Sequence, residues 1–317
     1  MLRAQPPKDW LYQEQARVAE LAFRFQEKGS TAGFVYQMAP KLDLFPAEDL
    51  LVAPYLMEAF DPALIEKFLG YLRPDNVLLE ITAPDSATDQ VERWFEVPFA
   101  LEQAPLKRQT VADAPLRLPE VNPYLPEQLD LVAADEQIMR RLIDQPELKL
   151  WLDTDIEFGT PRANMTVGLL TQTGFLSARN QAQAQLYQDL VNDSLSATVY
   201  PAYLAGWGYS IAVADSGFAI SVNGYQDKQM ALMNTVTQRL FSADISAERF
   251  ATIKRSLIKD WRNSLKDKPY VQALGALGDT LLSGSWPANG QRVARRPLRD
   301  QRRANGATDG NSMASAW

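Results

Sequence analysis

The chain has 317 residues, of which 46% are hydrophobic and 22% charged, a composition typical of a globular protein with room for two domains. Its net charge of −7 disfavours nucleic acid as a partner, because domains that bind nucleic acid are basic. The sequence contains no histidine and no cysteine, which excludes Ser-His-Asp and Cys-His catalysis, zinc fingers and histidine-based zinc helices within this chain.

Residues 1–83 predict three helices followed by one strand. Asp9 is expected to cap the first helix and Gly29 to end it, and Asp61 is expected to cap the third, with Pro62 in its first turn. The apolar spacing places the helices and the strand at residues 9–28, 46–55, 62–72 and 76–83. A single strand needs others to pair with, and this part of the sequence predicts none.

Residues 84–147 are predicted to form a proline-rich linker and strap, because each proline blocks a helix or a ladder hydrogen bond. The recurring prolines are Pro84, Pro98, Pro105, Pro115, Pro119, Pro123 and Pro126. Trp94, Phe95 and Phe99 are expected to be buried anchors of this strap, and an exposed aromatic binding site is the alternative.

Residues 148–286 predict an α+β layer, in which helices cover one face of a largely antiparallel sheet. Strands are expected at 149–155, 163–171, 209–214 and 218–223, and helices at 177–197, 228–241, 247–266 and 270–282. The link Asp215-Ser216-Gly217 predicts a hairpin between the last two strands.

The last 31 residues, 287–317, differ in composition from the rest. They contain six arginines and two aspartates, a net charge of +4, which leaves −11 on the first 286 residues. Three interpretations remain open: an arginine-rich arm for an anionic partner, a disordered terminus, or residues that are not native to the fold.

The acidic run Asp153, Asp155 and Glu157 could offer oxygens to Ca²⁺. An EF-hand loop needs glycine at position six and a bidentate acid at position twelve, but this run has Phe158 and Asn164 there. The run is therefore predicted to be a solvated strand edge.

Asp227 and Lys228 form a polar cluster before a helix. A lysine tuned for chemistry is one hypothesis, and a turn in which Asp227 caps the helix and Gly224 adopts positive φ is the favoured one. Ser210 and Ser216 flank the predicted hairpin, but the sequence supplies no histidine as their base. No phosphate-binding glycine loop is present in the sequence.

Eight short strings carry a family resemblance over about residues 9–282. They are DWLYQE at 9–14, FRF at 23–25, YLME at 55–58, LRPDNV at 72–77, NPYLP at 122–126, LWL at 150–152, LAG at 204–206 and GYQDKQ at 224–229. In order and spacing they resemble the middle of the insulinase/pitrilysin family of zinc metallopeptidases.

The resemblance implies a larger parent of four related α/β domains around a peptide-sized chamber, with zinc held by H-x-x-E-H and a distant glutamate in the first domain. Residues 1–83 would be the later part of the second domain and 148–286 the earlier part of the third. The expected fold is therefore α+β, with two incomplete metallopeptidase-like layers.

Carried over residue by residue, the resemblance assigns no catalytic, cofactor-binding or metal-binding residue, since the zinc is expected in the missing first domain. It implies a non-catalytic middle segment of a zinc metalloendopeptidase, contributing chamber wall and substrate positioning. The expected partners are the remaining domains or a catalytic subunit, and peptide substrates of the parent, with no nucleic acid and no membrane. An inactive relative that binds a separate catalytic subunit is the alternative. A full-length pitrilysin-like parent would be periplasmic, and the location of this chain stays open.

Overall fold

A computed structural model describes residues 5–27, 29–103, 117–132, 139–171, 177–214 and 217–281. The described residues fall into two compact units. The first comprises residues up to Phe23 together with Ser30–Val121, and the second comprises Arg24–Gly29 and the residues from Asn122 onward. Helices and small antiparallel sheets make up both, which confirms the α+β prediction. The predicted domain boundaries at 83/84 and 147/148 stay a prediction.

The helices of the first unit are α1 (Asp9–Arg24), α2 (Thr31–Met38) and α3 (Pro62–Gly70). The third confirms the sequence prediction, since the Asp61 carboxylate accepts a hydrogen bond from the Leu64 backbone N–H at 2.9 Å. The second was not predicted from the sequence. Its cap is the Ser30 hydroxyl, which accepts from the Gly33 N–H at 3.1 Å.

Two helix predictions in this unit need correction. α1 ends at Arg24 rather than at Lys28, because the chain leaves the helix and Phe25 packs against Tyr225 in the second unit. Residues 46–55 form successive turns and one 3₁₀ turn, with mostly i→i+3 backbone hydrogen bonds, rather than an α-helix. Pro54 has no N–H to donate to the Leu50 carbonyl, so a regular helix could not continue through Tyr55.

Residues 76–83 do not form a strand. A strand is defined by its ladder partners, and no described strand pairs with this segment. Its apolar side chains are exposed, Leu78 by 83% and Ile81 by 73%. Beyond it lies a short hairpin of β1 (Gln90–Val91) and β2 (Pro98–Phe99).

The second unit has a two-stranded and a three-stranded antiparallel sheet. The strands are β3 (Arg140–Asp144), β4 (Lys149–Leu152), β5 (Arg162–Leu170), β6 (Gly208–Ala214) and β7 (Gly217–Tyr225), and the helices are α4 (Ala178–Leu204), α5 (Gln229–Phe241), α6 (Ala247–Ser264) and α7 (Pro269–Leu281). β3 pairs with β4, and the larger sheet has the order β5-β7-β6.

Helices cover one face of the three-stranded sheet, where α4 packs on β6 and α5 on β7. Alternate residues of the strands enter this core because successive side chains point to opposite faces. The fully buried side chains include Val191 and Leu195 of α4, Ile220 and Val222 of β7, and Leu232 and Val236 of α5. None of the described helices is long and apolar enough to cross a membrane.

Most elements predicted for this unit are confirmed, with shifted ends. α4 begins at the predicted place, where the Ser177 hydroxyl accepts from the Asn180 N–H at 3.2 Å, but it runs seven residues beyond position 197 and through Pro201. β4 ends at Leu152, and β3 was not predicted. The arginine-rich segment 287–317 and Asp215-Ser216 lie outside the described residues.

Candidate functional site

The face of the β5-β7-β6 sheet that carries no helices presents small side chains. Since Ile220 and Val222 point into the core, their neighbours along β7 point outward, and the register places matching residues of β5 and β6 beside them. We call this set the open sheet face: Asn164, Thr166, Gly168, Ser210, Ala212, Ala219, Ser221 and Asn223.

Hydroxyl and amide groups dominate the open sheet face. The hydroxyls of Thr166 and Ser221 are 2.9 Å apart and share a hydrogen bond. Ser210, considered in the sequence as a nucleophile, lies opposite Ser221 in the ladder. Neutral hydroxyls without a histidine to deprotonate them can hydrogen-bond a ligand but are weak nucleophiles. The face is suited to contact rather than to chemistry.

The outer edge of β6 carries backbone groups that do not pair with β7. The Val213 N–H donates to the Gln188 side-chain oxygen of α4 at 3.0 Å, so the odd-numbered residues of β6 direct their N–H and C=O away from β7. Tyr209 and Ile211 share this direction, next to the open sheet face. Within the described ranges no residue hydrogen-bonds to their N–H or C=O groups, so an extended chain placed alongside β6 can pair with them.

The Asp227 side chain joins the strap to the helical layer. Its carboxylate accepts hydrogen bonds from the backbone N–H groups of Glu127 at 2.8 Å and Gln128 at 3.2 Å. The N-terminus of α5 has no side-chain cap, so the prediction that Asp227 caps this helix is wrong. Instead, the carboxylate binds the backbone N–H of Glu127, 100 residues earlier in the chain.

The surroundings of Asp227 favour its charged form. Burial alone would raise its pKa, but the two backbone hydrogen bonds and the neighbouring Lys228 outweigh burial, and the pKa is lowered. The Lys228 ammonium lies 3.8 Å from Asp227 and 3.4 Å from Glu127. A structural ion-pair cluster therefore accounts for both residues, and a catalytic lysine is not needed to explain them.

The predicted positive φ of Gly224 is confirmed at 147°. A Cβ at this position would lie 2.6 Å from the Cε3 atom of Trp207, so only glycine fits. The buried Trp207 indole in turn donates to the Tyr124 carbonyl at 3.0 Å. Two of the resembling strings, NPYLP and GYQDKQ, thus meet through one tryptophan.

Gln229, a buried polar residue at the end of the GYQDKQ string, links two strands of the sheet. Its side-chain amide donates to the carbonyls of Ala163 at 2.9 Å and Val222 at 3.3 Å. Gln188 has the opposite role on β6, where its side-chain oxygen accepts from the Val213 N–H. Gln229 is the last residue of the GYQDKQ string, but the string does not reveal which carbonyls its side chain binds.

The acidic run Asp153, Asp155 and Glu157 lies in the loop after β4, not on a strand edge as predicted. Asp155 accepts a hydrogen bond from the Glu157 N–H at 2.7 Å. Among the residues that the structure describes, no group of three or more acidic side chains could hold a metal ion. The sequence also lacks both soft donors of zinc sites, histidine and cysteine. This donor set does not fit zinc.

Trp94 and Phe95 are exposed by 77% and 84%, so the prediction that they are buried anchors is wrong for this chain. They occupy the tip of the β1–β2 hairpin, where the Glu92 carboxylate accepts from their two backbone N–H groups. The hydrogen bonds from Phe95 and Trp94 lower the pKa of Glu92. Phe99, at the base, is exposed by 38%.

An ion pair joins α6 to α4. The Arg249 guanidinium donates to both carboxylate oxygens of Asp193, with an Nε to Oδ2 distance of 2.9 Å. This hydrogen bond, together with the positive charge, lowers the pKa of Asp193. The pair connects the start of α6 to α4.

Comparison with known proteins supports the family resemblance that the eight sequence strings indicate. A sequence model of peptidase M16, described as its middle or third domain, matches residues 23–291. Insulin-degrading enzyme of Homo sapiens is 30% identical over 295 residues, which cover 90% of this chain and 29% of that protein. Insulin-degrading enzyme-like 1, peroxisomal, of Arabidopsis thaliana is 27% identical, over 88% of this chain and 30% of that protein.

The crystal structure of pitrilysin matches the fold, with a TM-score of 0.66 at 19% sequence identity, over 94% of this chain and 33% of that one. The chain therefore spans about a third or less of the length of these proteins. The match of the family model over most of the sequence establishes that this chain belongs to the peptidase M16 family, the insulinase/pitrilysin metallopeptidases, and corresponds to the middle or third domain of that family.

Proposed function

We propose that the chain is a non-catalytic structural part of an M16-type zinc metalloendopeptidase and that it contributes wall to the peptide chamber. The observation that carries this proposal is the open sheet face, a surface of small, largely hydroxyl and amide side chains beside the edge of β6. Such a surface accommodates an extended polypeptide without selecting a particular side chain. The sequence has no histidine or cysteine with which to bind zinc, and this supports the non-catalytic role.

The edge of β6 is the part of this wall that would position a peptide. An extended segment beside it can exchange backbone hydrogen bonds with Tyr209 and Ile211, and the Gln188 side chain at Val213 ends the available stretch. Backbone pairing is tolerant of sequence, which suits a peptidase substrate. The zinc and its activated water would come from another domain or subunit of the parent.

A peptidase assay tests the non-catalytic role. The purified chain is incubated with a quenched fluorogenic peptide library, with zinc added and with a chelator added, and no cleavage is expected in either case. Zinc-dependent cleavage that the chelator abolishes, and that persists after further purification, would contradict the proposal.

A hydrogen-exchange experiment tests the positioning role separately. A saturating extended peptide is expected to slow exchange at the amides of Tyr209 and Ile211, while the amide of Thr166 on the opposite edge of the sheet serves as control. Ala212→Lys would obstruct the open sheet face and abolish this protection. The matched change Ala273→Lys, at an exposed position of α7, should leave protection intact. Equal protection of all three amides would refute a specific β6 site.

A second candidate function is that of an inactive relative which binds a separate catalytic subunit. The exposed apolar segment 76–83 favours it, because an uncovered surface of this kind marks a contact site. The DNA around the gene distinguishes the two. A zinc-helix coding sequence continuous in one frame supports a segment of one enzyme, and a complete separate gene for the zinc half supports a two-subunit enzyme.

A further inference from the structure

Helix α6 is strongly basic in an acidic chain. It carries five lysines and arginines against two acids, Glu248 and Asp260. Its exposed side forms a shallow groove that we call the α6 basic groove, lined chiefly by Phe250, Lys254, Arg255, Ile258, Lys259 and Arg262. At 1.5 Å per residue the groove is about 18 Å long.

The cations of the groove are not used inside the described structure. Arg249, at the start of α6, pairs with Asp193 of α4, and Trp261 is half-buried on the side of the helix that faces the unit. The four groove cations form no ion pair with any described residue. The Lys254 ammonium lies 5.8 Å from the centroid of the Phe250 ring. The groove therefore offers unpaired positive charge over an apolar floor.

The complementary surface lies in the same sequence. Residues 42–103 contain thirteen aspartates and glutamates against three lysines and arginines, a net charge of −10 in a chain of net charge −7. Of these acids only Asp75 forms an ion pair among the described residues, with Arg73 at 3.5 Å. Exposed apolar side chains lie between the acids, such as Trp94 and Phe95 between Glu92 and Glu96. We call residues 42–103 the acidic segment.

We propose that the α6 basic groove of one copy binds the acidic segment of a second copy. Both partners combine charge with apolar side chains, so the contact can bury Phe250 and Ile258 while it pairs the cations. An inorganic polyanion would use the four cations but leave the apolar floor exposed. Two copies that exchange acidic segments reciprocally would form a closed dimer, whereas a one-way contact would give longer oligomers.

Sedimentation velocity of the purified chain tests the proposal. Because the contact depends on exposed charges, the association constant should fall by about tenfold or more when the salt is raised from about 50 mM to about 500 mM. The quadruple variant Lys254→Gln, Arg255→Gln, Lys259→Gln, Arg262→Gln should lose about tenfold or more in association at low salt. These side chains are exposed, so far-ultraviolet circular dichroism and the melting temperature should not change.

A matched control variant removes two lysines and two arginines elsewhere: Lys8→Gln, Lys149→Gln, Arg140→Gln and Arg179→Gln. It has the same net charge as the groove variant and is expected to associate like the wild type. A chain that is monomeric at low salt, or a control that loses as much association as the groove variant, would overturn the proposal.

Cross-linking identifies the occupant. Unlabelled and ¹⁵N-labelled chains are mixed and treated with a carbodiimide, and mixed-isotope links from Lys254 or Lys259 to acids within 42–103 are expected. Mixed-isotope links from these lysines only to acids outside the acidic segment, or only same-isotope links, would refute this mode of association.

Discussion

Gly224→Ala tests the packing that holds the two resembling strings together. The added methyl would lie 2.6 Å from Cε3 and 2.9 Å from Cδ2 of Trp207. The indole cannot simply move away, since it is 3% exposed and its N–H is bound to the Tyr124 carbonyl. The backbone at φ 147° is also strained for any residue with a Cβ.

The clash with Trp207 and the backbone strain together set the size of the expected loss of stability. Overpacking a filled core costs about 1–3 kcal/mol, and a residue held in a sparsely populated backbone region costs about 1–3 kcal/mol. The free energy of unfolding should therefore fall by about 2–5 kcal/mol. Gly168→Ala is the matched control, because the new methyl would have no heavy atom within 4 Å and the backbone has no positive φ. That change should be neutral or stabilise by about 0.5–1 kcal/mol.

Urea denaturation followed by tryptophan fluorescence measures both variants. The midpoint for Gly224→Ala should shift to lower urea with an unchanged slope, which indicates a change in stability rather than in the unfolded state. A loss smaller than about 0.5 kcal/mol, within the range of an ordinary surface substitution, would refute the close packing of Gly224 on Trp207. The same conclusion would follow if Gly168→Ala destabilised the protein as strongly.

Two further predictions concern carboxylates. Asp227→Asn removes the charge that binds the Glu127 and Gln128 N–H groups, so hydrogen exchange of these two amides should accelerate. The control Asp85→Asn, in an exposed turn, should leave their exchange unchanged. Unaltered exchange in Asp227→Asn would contradict the role given to Asp227. The pKa of Asp193 is lowered in the fold, so its stabilising effect is present above the unfolded value of about 3.9 and is lost as the pH falls through the folded pKa. In Arg249→Gln, thermal melts over a pH series should no longer show this loss of stability at acid pH. An unchanged pH dependence of the melting temperature would show that the ion pair contributes nothing.

The sequence predicted the second unit well because its signals are local. Alternating residues and a short turn are sufficient for β6 and β7, and the helical spacing of apolar residues is sufficient for α4. In the first unit the pattern at 76–83 was read as a strand, but a strand exists only when another strand pairs with it. Around residues 46–55 the same apolar spacing fits both a helix and a series of turns, so the pattern alone does not distinguish them.

The candidate site was predictable only in part. The motif GYQDKQ was recognised as a structural cluster, and the requirement for glycine at Gly224 was correct. The partner of Asp227 was not predictable, since Glu127 and Gln128 are a hundred residues away and contribute only backbone N–H groups, which leave no mark on the sequence. The open sheet face was equally hidden, because small polar residues on a strand are typical of any solvated face.

The two units differ in how much apolar surface they bury, and this bears on what binds them. Nearly all buried hydrophobic residues of the described structure lie in the second unit, and Leu21 is the one in the first. Leu78 and Leu79 are adjacent, so in an extended chain they point in opposite directions, and both are exposed. Apolar residues on both sides of an extended segment are typical of a strand buried on both faces of a sheet. A partner that covers segment 76–83 must therefore supply a neighbouring strand as well as a packing layer. A short peptide would supply the strand alone, whereas a folded domain with a sheet of its own would supply both.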